Sequence, residues 1–126
     1  MRISIVILTI FISSLSLANS TCDVEFFPGD YSMNGGVHVV MRGGQQNSAG
    51  MNLQQTLNSY SSYLVAGLCN PAPVSNCDVK FFAATDSAHP GVYVLTRDEK
   101  AFTNGSYNLS DAIVALSEMR SAKLCR

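Results

Sequence analysis

The chain has 126 residues and a formal net charge of −1, with eight basic and nine acidic side chains. Only 13% of the residues are charged and no basic run occurs, so charge gives no reason to expect binding to nucleic acid or to anionic membranes. Four cysteines in a chain of this size instead favour a small disulfide-bonded protein.

Residues 1–20 have the pattern of a secretory signal peptide. Arg2 precedes an apolar run over residues 3–17, which is too short to cross a membrane comfortably, and a small residue, Ser20, ends the segment. We expect cleavage after Ser20, with cleavage after Ala18 as the alternative. Residues 21–126 then form one exported domain of a size that a single hydrophobic core can support, with no insertion into a membrane.

The chain contains an internal duplication. Cys22-Asp-Val-Glu-Phe-Phe27 returns as Cys77-Asp-Val-Lys-Phe-Phe82, and Gly36-Val-His-Val-Val-Met-Arg42 returns as Gly91-Val-Tyr-Val-Leu-Thr-Arg97, both 55 positions later. The segments that end in Cys69 and Cys125 match at an offset of 56. Two copies of one unit are therefore predicted, repeat 1 (22–69) and repeat 2 (77–125).

Each repeat predicts two strands followed by a helix. The strands are β-branched and aromatic runs bounded by Gly, Pro, Asp and Asn; they cover residues 24–27, 37–42, 79–84 and 92–97. Polar loops containing Gly43-Gly44 and Asn104-Gly105 follow.

Both predicted helices begin with a capping signature. Asn52 is followed by Gln55, and Asn108 is followed by Asp111, three positions later in each case. Each helix then carries one apolar stripe with helical spacing: Leu53, Leu57, Tyr60 and Leu64 in the first, and Leu109, Ile113, Leu116 and Met119 in the second.

Two such units bury their apolar faces most economically in a two-layer α/β sandwich. We predict an α+β fold in which one four-stranded antiparallel sheet carries both helices on one face. Right-handed crossovers make this the ferredoxin-like split β-α-β topology in the circularly permuted order ββαββα.

This topology also predicts the disulfides. The first helix would end at the opposite end of the sheet from Cys22, so Cys69 would lie beside Cys77 and Cys125 beside Cys22. We therefore expect the bonds Cys69–Cys77 and Cys22–Cys125. No metal and no cofactor are expected, because the cysteines lack Cys-x-x-Cys spacing and have no neighbouring histidine.

The sheet face opposite the helices is a candidate binding surface. If Val37, Val39 and their counterparts face the helices, strand alternation leaves the other side uncovered; it carries His38, Val40, Arg42, Tyr93, Leu95 and Arg97. This mixture suits a protein interface, and it also fits a solvated face on which arginine stems cover apolar groups. The repeat symmetry would further suit a homodimer.

The sequence offers little support for catalysis. His38 and His89 are the only histidines, and a ribonuclease-like hydrolase would depend on one of them. His38 aligns with Tyr93 in repeat 2, and His89 precedes Pro90 in a turn, so structural roles are favoured. Because no nucleophile elbow, phosphate loop or zinc-protease motif occurs, we expect a protein that is not an enzyme.

Two sequons predict candidate glycosylation sites, Asn104-Gly-Ser106 and Asn108-Leu-Ser110. Asn104 is the preferred site, because the Asn108 side chain is expected to cap the second helix.

The signal peptide, the two stapling disulfides and the split β-α-β sandwich together resemble small secreted fungal proteins, in particular killer-toxin-like proteins and plant-pathogen effectors. The succession of Gly91-Val-Tyr-Val-Leu, a polar loop and a helix that ends in Cys125 is similar to the second half of killer-toxin-like sequences. The His-Gly-Cys that is characteristic of those helix ends is replaced by Gly67-Leu-Cys69 and by Lys123-Leu-Cys125. The resemblance implies a non-enzymatic exported protein that acts on a host or a competitor, in some cases with a second secreted protein.

The expected function is therefore that of a secreted binding protein of effector or toxin type that acts through the uncovered sheet face. Its partner would be a host or competitor protein, a second secreted protein, or a second copy of the chain. The alternatives are a small hydrolase that uses His38 or His89, and an inhibitor of extracellular hydrolases that inserts loop 84–91 into its target.

Overall fold

The structure is a computed structural model that describes residues 20–29, 35–84 and 90–126. The predicted signal peptide, apart from Ser20, lies outside the described residues. His89 and the centre of loop 84–91 also lie outside them.

The described residues form two copies of one pattern, which confirms the α+β class and the duplication. Each copy contains three strands followed by a helix, one strand more than the sequence predicted. Repeat 1 comprises β1 (Cys22–Phe27), β2 (Val37–Arg42), β3 (Gln45–Gln46) and α1 (Leu53–Val65); repeat 2 comprises β4 (Cys77–Phe82), β5 (Val92–Arg97), β6 (Lys100–Ala101) and α2 (Leu109–Ser121).

The strands form two separate antiparallel sheets, in the orders β1-β2-β3 and β4-β5-β6. The predicted four-stranded sheet and its ferredoxin-like permutation are not found, since no strand of one repeat pairs with a strand of the other within the described residues. Each helix packs on the hairpin of its own repeat, and α1 also contacts α2.

The additional strands β3 and β6 follow tight two-residue turns. Gly43 and Gly44 have φ values of 59° and 79°, and Asp98 and Glu99 have φ values of 49° and 70°. Two successive positive φ values are typical of turns that join adjacent antiparallel strands. After β3 the chain continues along β2, where Met51 pairs with His38, so it returns to the far end of the hairpin before α1 begins.

This extra pass reverses the direction of each helix and therefore changes the disulfides. The bonds are Cys22–Cys69 and Cys77–Cys125. The predicted pairing of Cys69 with Cys77 and of Cys22 with Cys125 is wrong, because each helix ends beside the first strand of its own repeat. All four cysteines are nevertheless bonded, as expected.

The two helices begin differently. Asn52 forms the predicted capping box, in which its Oδ1 accepts from Gln55 N at 2.8 Å. Asn108 makes no side-chain capping bond. There Ser106 Oγ instead accepts from the Asn108 backbone N–H and donates to Asp111 Oδ2 at 2.6 Å.

The core uses the face of β2 and of β5 that the sequence assigned to solvent. Val24 lies opposite Val40, and Val79 lies opposite Leu95, and directly opposed residues point to the same side of an antiparallel sheet. Val24, Val40 and Leu95 are fully buried. They share one core cluster with residues of both helices, among them Leu53, Leu57, Tyr60 and Met119.

Candidate functional site

The two repeats meet through unlike surfaces. Repeat 2 contributes a docking arm, defined as Arg97 at the end of β5 with Phe102 and Asn104 beyond β6. Repeat 1 contributes a docking face, formed along β1 and the start of β2. Its residues are Asp23, Val24, Phe26, Gly36 and His38.

Arg97 anchors the arm at the outer edge of β1. Its Nη1 donates to the Val24 carbonyl oxygen at 2.9 Å and forms an ion pair with Asp23 Oδ1 at 3.0 Å. Its Nε donates to Ser75 Oγ, and its guanidinium carbon lies 5.3 Å from the centre of the Phe102 ring. The cation is thus bound by an anion, a carbonyl and an aromatic face, which together hold its orientation.

Phe102 fills the centre of the junction. Its ring contacts Phe26 and His38, with ring centres 6.4 Å and 5.2 Å away. His38 Nε2 donates to the Phe102 carbonyl oxygen at 2.6 Å. Because the carbonyl can only accept, this contact places the proton of neutral His38 on Nε2.

Asn104 closes the far end of the junction. Its Oδ1 accepts from Gly36 N at 2.7 Å and its Nδ2 donates to Gly36 O at 3.1 Å. The predicted glycan acceptor is therefore already part of a reciprocal hydrogen-bonded pair. The reason for preferring it over Asn108 was wrong, since the Asn108 side chain makes no capping bond.

Burial lowers the pKa of His38, and the hydrogen bond to the Phe102 carbonyl raises it by a smaller amount. The folded protein therefore favours the neutral ring. In the unfolded chain the same ring titrates near its ordinary value of 6.5.

His38 should therefore make stability depend on pH. The unfolded state binds a proton first on acidification, so we expect wild-type stability to fall as the pH drops from about 7 through the unfolded pKa to the lower folded pKa. His38→Gln keeps a donor for the carbonyl but does not titrate, so the difference between the two urea midpoints should shrink across this window. Midpoints that run parallel from pH 7.5 to pH 5 would contradict the assignment.

The predicted binding face is not open. His38, Val40 and Leu95 are 4%, 0% and 0% exposed, and Arg97 is engaged at the junction. Arg42 and Tyr93 remain partly exposed. The prediction assigned the wrong side of β2 and of β5 to the helices, because a shift of one residue in a strand exchanges its two faces.

A different surface is exposed instead, and the repeat relationship identifies it. In repeat 2, the residues that correspond to the docking face are not covered by an equivalent of the docking arm within the described residues. We call this surface the open face: Asp78, Phe81 and Tyr93, with the apolar residues of the helix, Leu109 and Ile113.

Exposure differs sharply between matched positions of the two repeats. Leu53 and Leu57 of α1 are 9% and 7% exposed, whereas their counterparts Leu109 and Ile113 are 44% and 49% exposed. Phe26 packs against the core, whereas its counterpart Phe81 is 55% exposed and contacts the Tyr93 ring. These three apolar side chains of repeat 2 are thus exposed, whereas their counterparts in repeat 1 pack in or against the core.

A small cavity of about 270 Å³ lies at the junction and is lined by His38, Tyr93, Asn104, Asp111 and Glu118, among others. Three of these side chains are already hydrogen-bonded: His38 Nε2 bonds a carbonyl, Asp111 bonds Ser106 and Asn104 bonds Gly36. No buried side-chain nitrogen or oxygen in the described part of the chain lacks a hydrogen-bond partner. The His38 and Asn104 bonds join the two repeats, whereas the Asp111 bond lies within repeat 2.

Residues 20–29, 35–84 and 90–126 contain no cluster of three or more His, Cys, Asp or Glu residues that could hold a metal ion. No helix among them is long and apolar enough to cross a membrane. The site is therefore an exposed apolar face with one carboxylate on a disulfide-bonded α+β protein. Comparison with protein families, curated proteins and solved structures finds no match to this chain.

Proposed function

We propose that this chain is an exported, non-enzymatic protein of effector or toxin type that binds another protein through the open face of repeat 2. The observation that supports it is the exposure of Phe81, Leu109 and Ile113 at positions whose counterparts in repeat 1 lie in the core or pack against it. Two disulfides are consistent with export, because such bonds persist in oxidising compartments.

The chemistry of the open face supports protein binding. A patch of aromatic and aliphatic side chains beside a single carboxylate is typical of the centre of a protein interface. The outer edge of β4 adds to it, since no strand pairs with that edge within the described residues. Exposed strand edges offer backbone donors and acceptors to a partner.

The proposal can be tested by crosslinking the mature protein in extracellular fluid of its source or target. The variant Phe81→Ser/Ile113→Ser removes two exposed apolar groups from the open face. Val65→Ser is the control, because Val65 is 86% exposed on α1. Val65→Ser should unfold within about 0.5 kcal/mol of wild type, since it is a surface change. The open-face variant loses two half-exposed apolar side chains, so it should be less stable but still folded, with both disulfides formed.

We expect wild type and Val65→Ser to give the same crosslinked species and the open-face variant to lose them. If all three proteins give the same crosslinked species, the open face is not the binding surface.

The hydrolase alternative has less support from the described contacts. His38 Nε2 donates to the Phe102 carbonyl, so only Nδ1 remains as a base, and no carboxylate of the described residues bonds to it. His89 and most of loop 84–91, on which the second hydrolase candidate and the inhibitor alternative depend, lie outside the described residues.

A further inference from the structure

The junction inside the chain is a template for what the open face binds, an argument that rests on the proposed function. Asp23, Phe26 and His38 of the docking face correspond to Asp78, Phe81 and Tyr93 of the open face. In repeat 1 these residues bind an arginine, an aromatic ring and a carbonyl, all supplied by one hairpin of repeat 2. The same three groups would match the open face.

The charge of the open face fits this template. In repeat 1 the Asp23 carboxylate pairs with Arg97, whose side chain is 9% exposed, and the neighbouring Val24 carbonyl accepts from the same guanidinium. In repeat 2 Asp78 is exposed at the same place on β4, next to Val79. A buried arginine that bonds a carboxylate and a carbonyl in this way is specific in orientation as well as in charge.

A second copy of the chain is a poor match. Repeat 1 has its own equivalent of the docking arm, which keeps Arg42 but carries Asn47 in place of Phe102 and Ala49 in place of Asn104. An unlike, head-to-tail interface would otherwise continue from molecule to molecule. Without the aromatic ring, the arm of repeat 1 has no large apolar side chain to place against Phe81.

We propose that the open face binds a different protein through a tight hairpin that bears an arginine and, five residues later, an aromatic side chain. The arginine pairs with Asp78 and bonds the β4 edge. The aromatic ring packs on Phe81 and Tyr93, as Phe102 packs on Phe26 and His38. The polar arm of repeat 1 keeps the chain from binding itself at this surface.

A synthetic probe can test this chemistry without knowledge of the partner. The probe is a cyclised peptide of residues 94–105, which reproduces the arm of repeat 2. The comparison peptides are its Phe102→Asn form, its Arg97→Ala form and a cyclised peptide of residues 39–50, the equivalent arm of repeat 1. Binding to the intact mature protein is measured by calorimetry or fluorescence anisotropy.

We expect saturable binding of the 94–105 peptide, at least about ten-fold weaker binding of both substituted forms, and no measurable binding of the 39–50 peptide. Asp78→Arg in the protein should abolish binding of the natural peptide and restore binding of the Arg97→Asp peptide. Glu25→Ala, which removes another exposed strand carboxylate, should have no effect.

Three outcomes would overturn the inference: no binding of the 94–105 peptide, binding indifferent to Asp78, or preferential binding of the 39–50 peptide with self-association that Arg42→Ala abolishes. If one of these outcomes occurs but the Phe81→Ser/Ile113→Ser protein still loses its crosslinks, the proposed function holds and the partner is of another kind. Retained crosslinks would instead remove the proposed function itself.

Discussion

Phe102→Ala is expected to destabilise the protein by about 3–5 kcal/mol, the range typical of removing a buried aromatic side chain. Phe102 is buried, contacts Phe26 and His38, and supports the Arg97 guanidinium. Its loss would leave a cavity between the repeats and expose the apolar side of the docking face. Urea unfolding should show a lower midpoint with little change in slope.

Asn47→Ala is the matched control, because Asn47 occupies the same position in repeat 1 and is exposed. A change within about 0.5 kcal/mol is expected there. If the two substitutions cost the same, the junction does not depend on the aromatic ring, and the template argument for the open face fails with it.

Removal of either disulfide should also have a large effect. The bonds close loops of 47 and 48 residues, for which chain-entropy estimates give about 4 kcal/mol each. Cys22→Ala/Cys69→Ala and Cys77→Ala/Cys125→Ala should therefore be destabilised by similar amounts. In both variants the remaining bond should form normally, because each repeat is closed independently.

Thiol counting and peptide mapping check the pairing itself. Cys22→Ser should leave one free thiol, at Cys69, and non-reducing digestion should still recover the peptide that joins Cys77 to Cys125. A peptide that joins Cys69 to Cys77 would instead support the pairing predicted from the sequence and would contradict the strand order described above.

The duplication and the main strands and helices were predictable because both depend on short stretches of sequence. The copies share strand composition, and each places its helix after a polar loop. The short strands were missed since Gln45-Gln46 and Lys100-Ala101 have no strand-forming side chains. In repeat 1 Gly43-Gly44 is a recognisable hairpin signal, but Asp98-Glu99 adopts the same positive φ values without glycine and gave none.

The junction was harder to predict because it is not symmetrical. Arg42 and Arg97 occupy matching positions of the two repeats, yet among the described contacts only Arg97 bonds the other repeat. The available signal was divergence between the copies. Asn47 against Phe102 and Ala49 against Asn104 differ in the polar loops, where a solvent-exposed arm and a buried arm need different side chains. Matched positions that differ in polarity thus mark a surface used in one copy only.

The separate closure of the two repeats has a consequence for proteolysis. No covalent bond other than the backbone of residues 70–76 connects the halves, since neither disulfide crosses between them. One cut by an endopeptidase in that segment would yield two fragments, each closed by its own disulfide, which are held together without a covalent bond by the Arg97, Phe102 and Asn104 contacts, the helix–helix contact and the shared core. Dilution or mild denaturant should then separate them without any reducing agent.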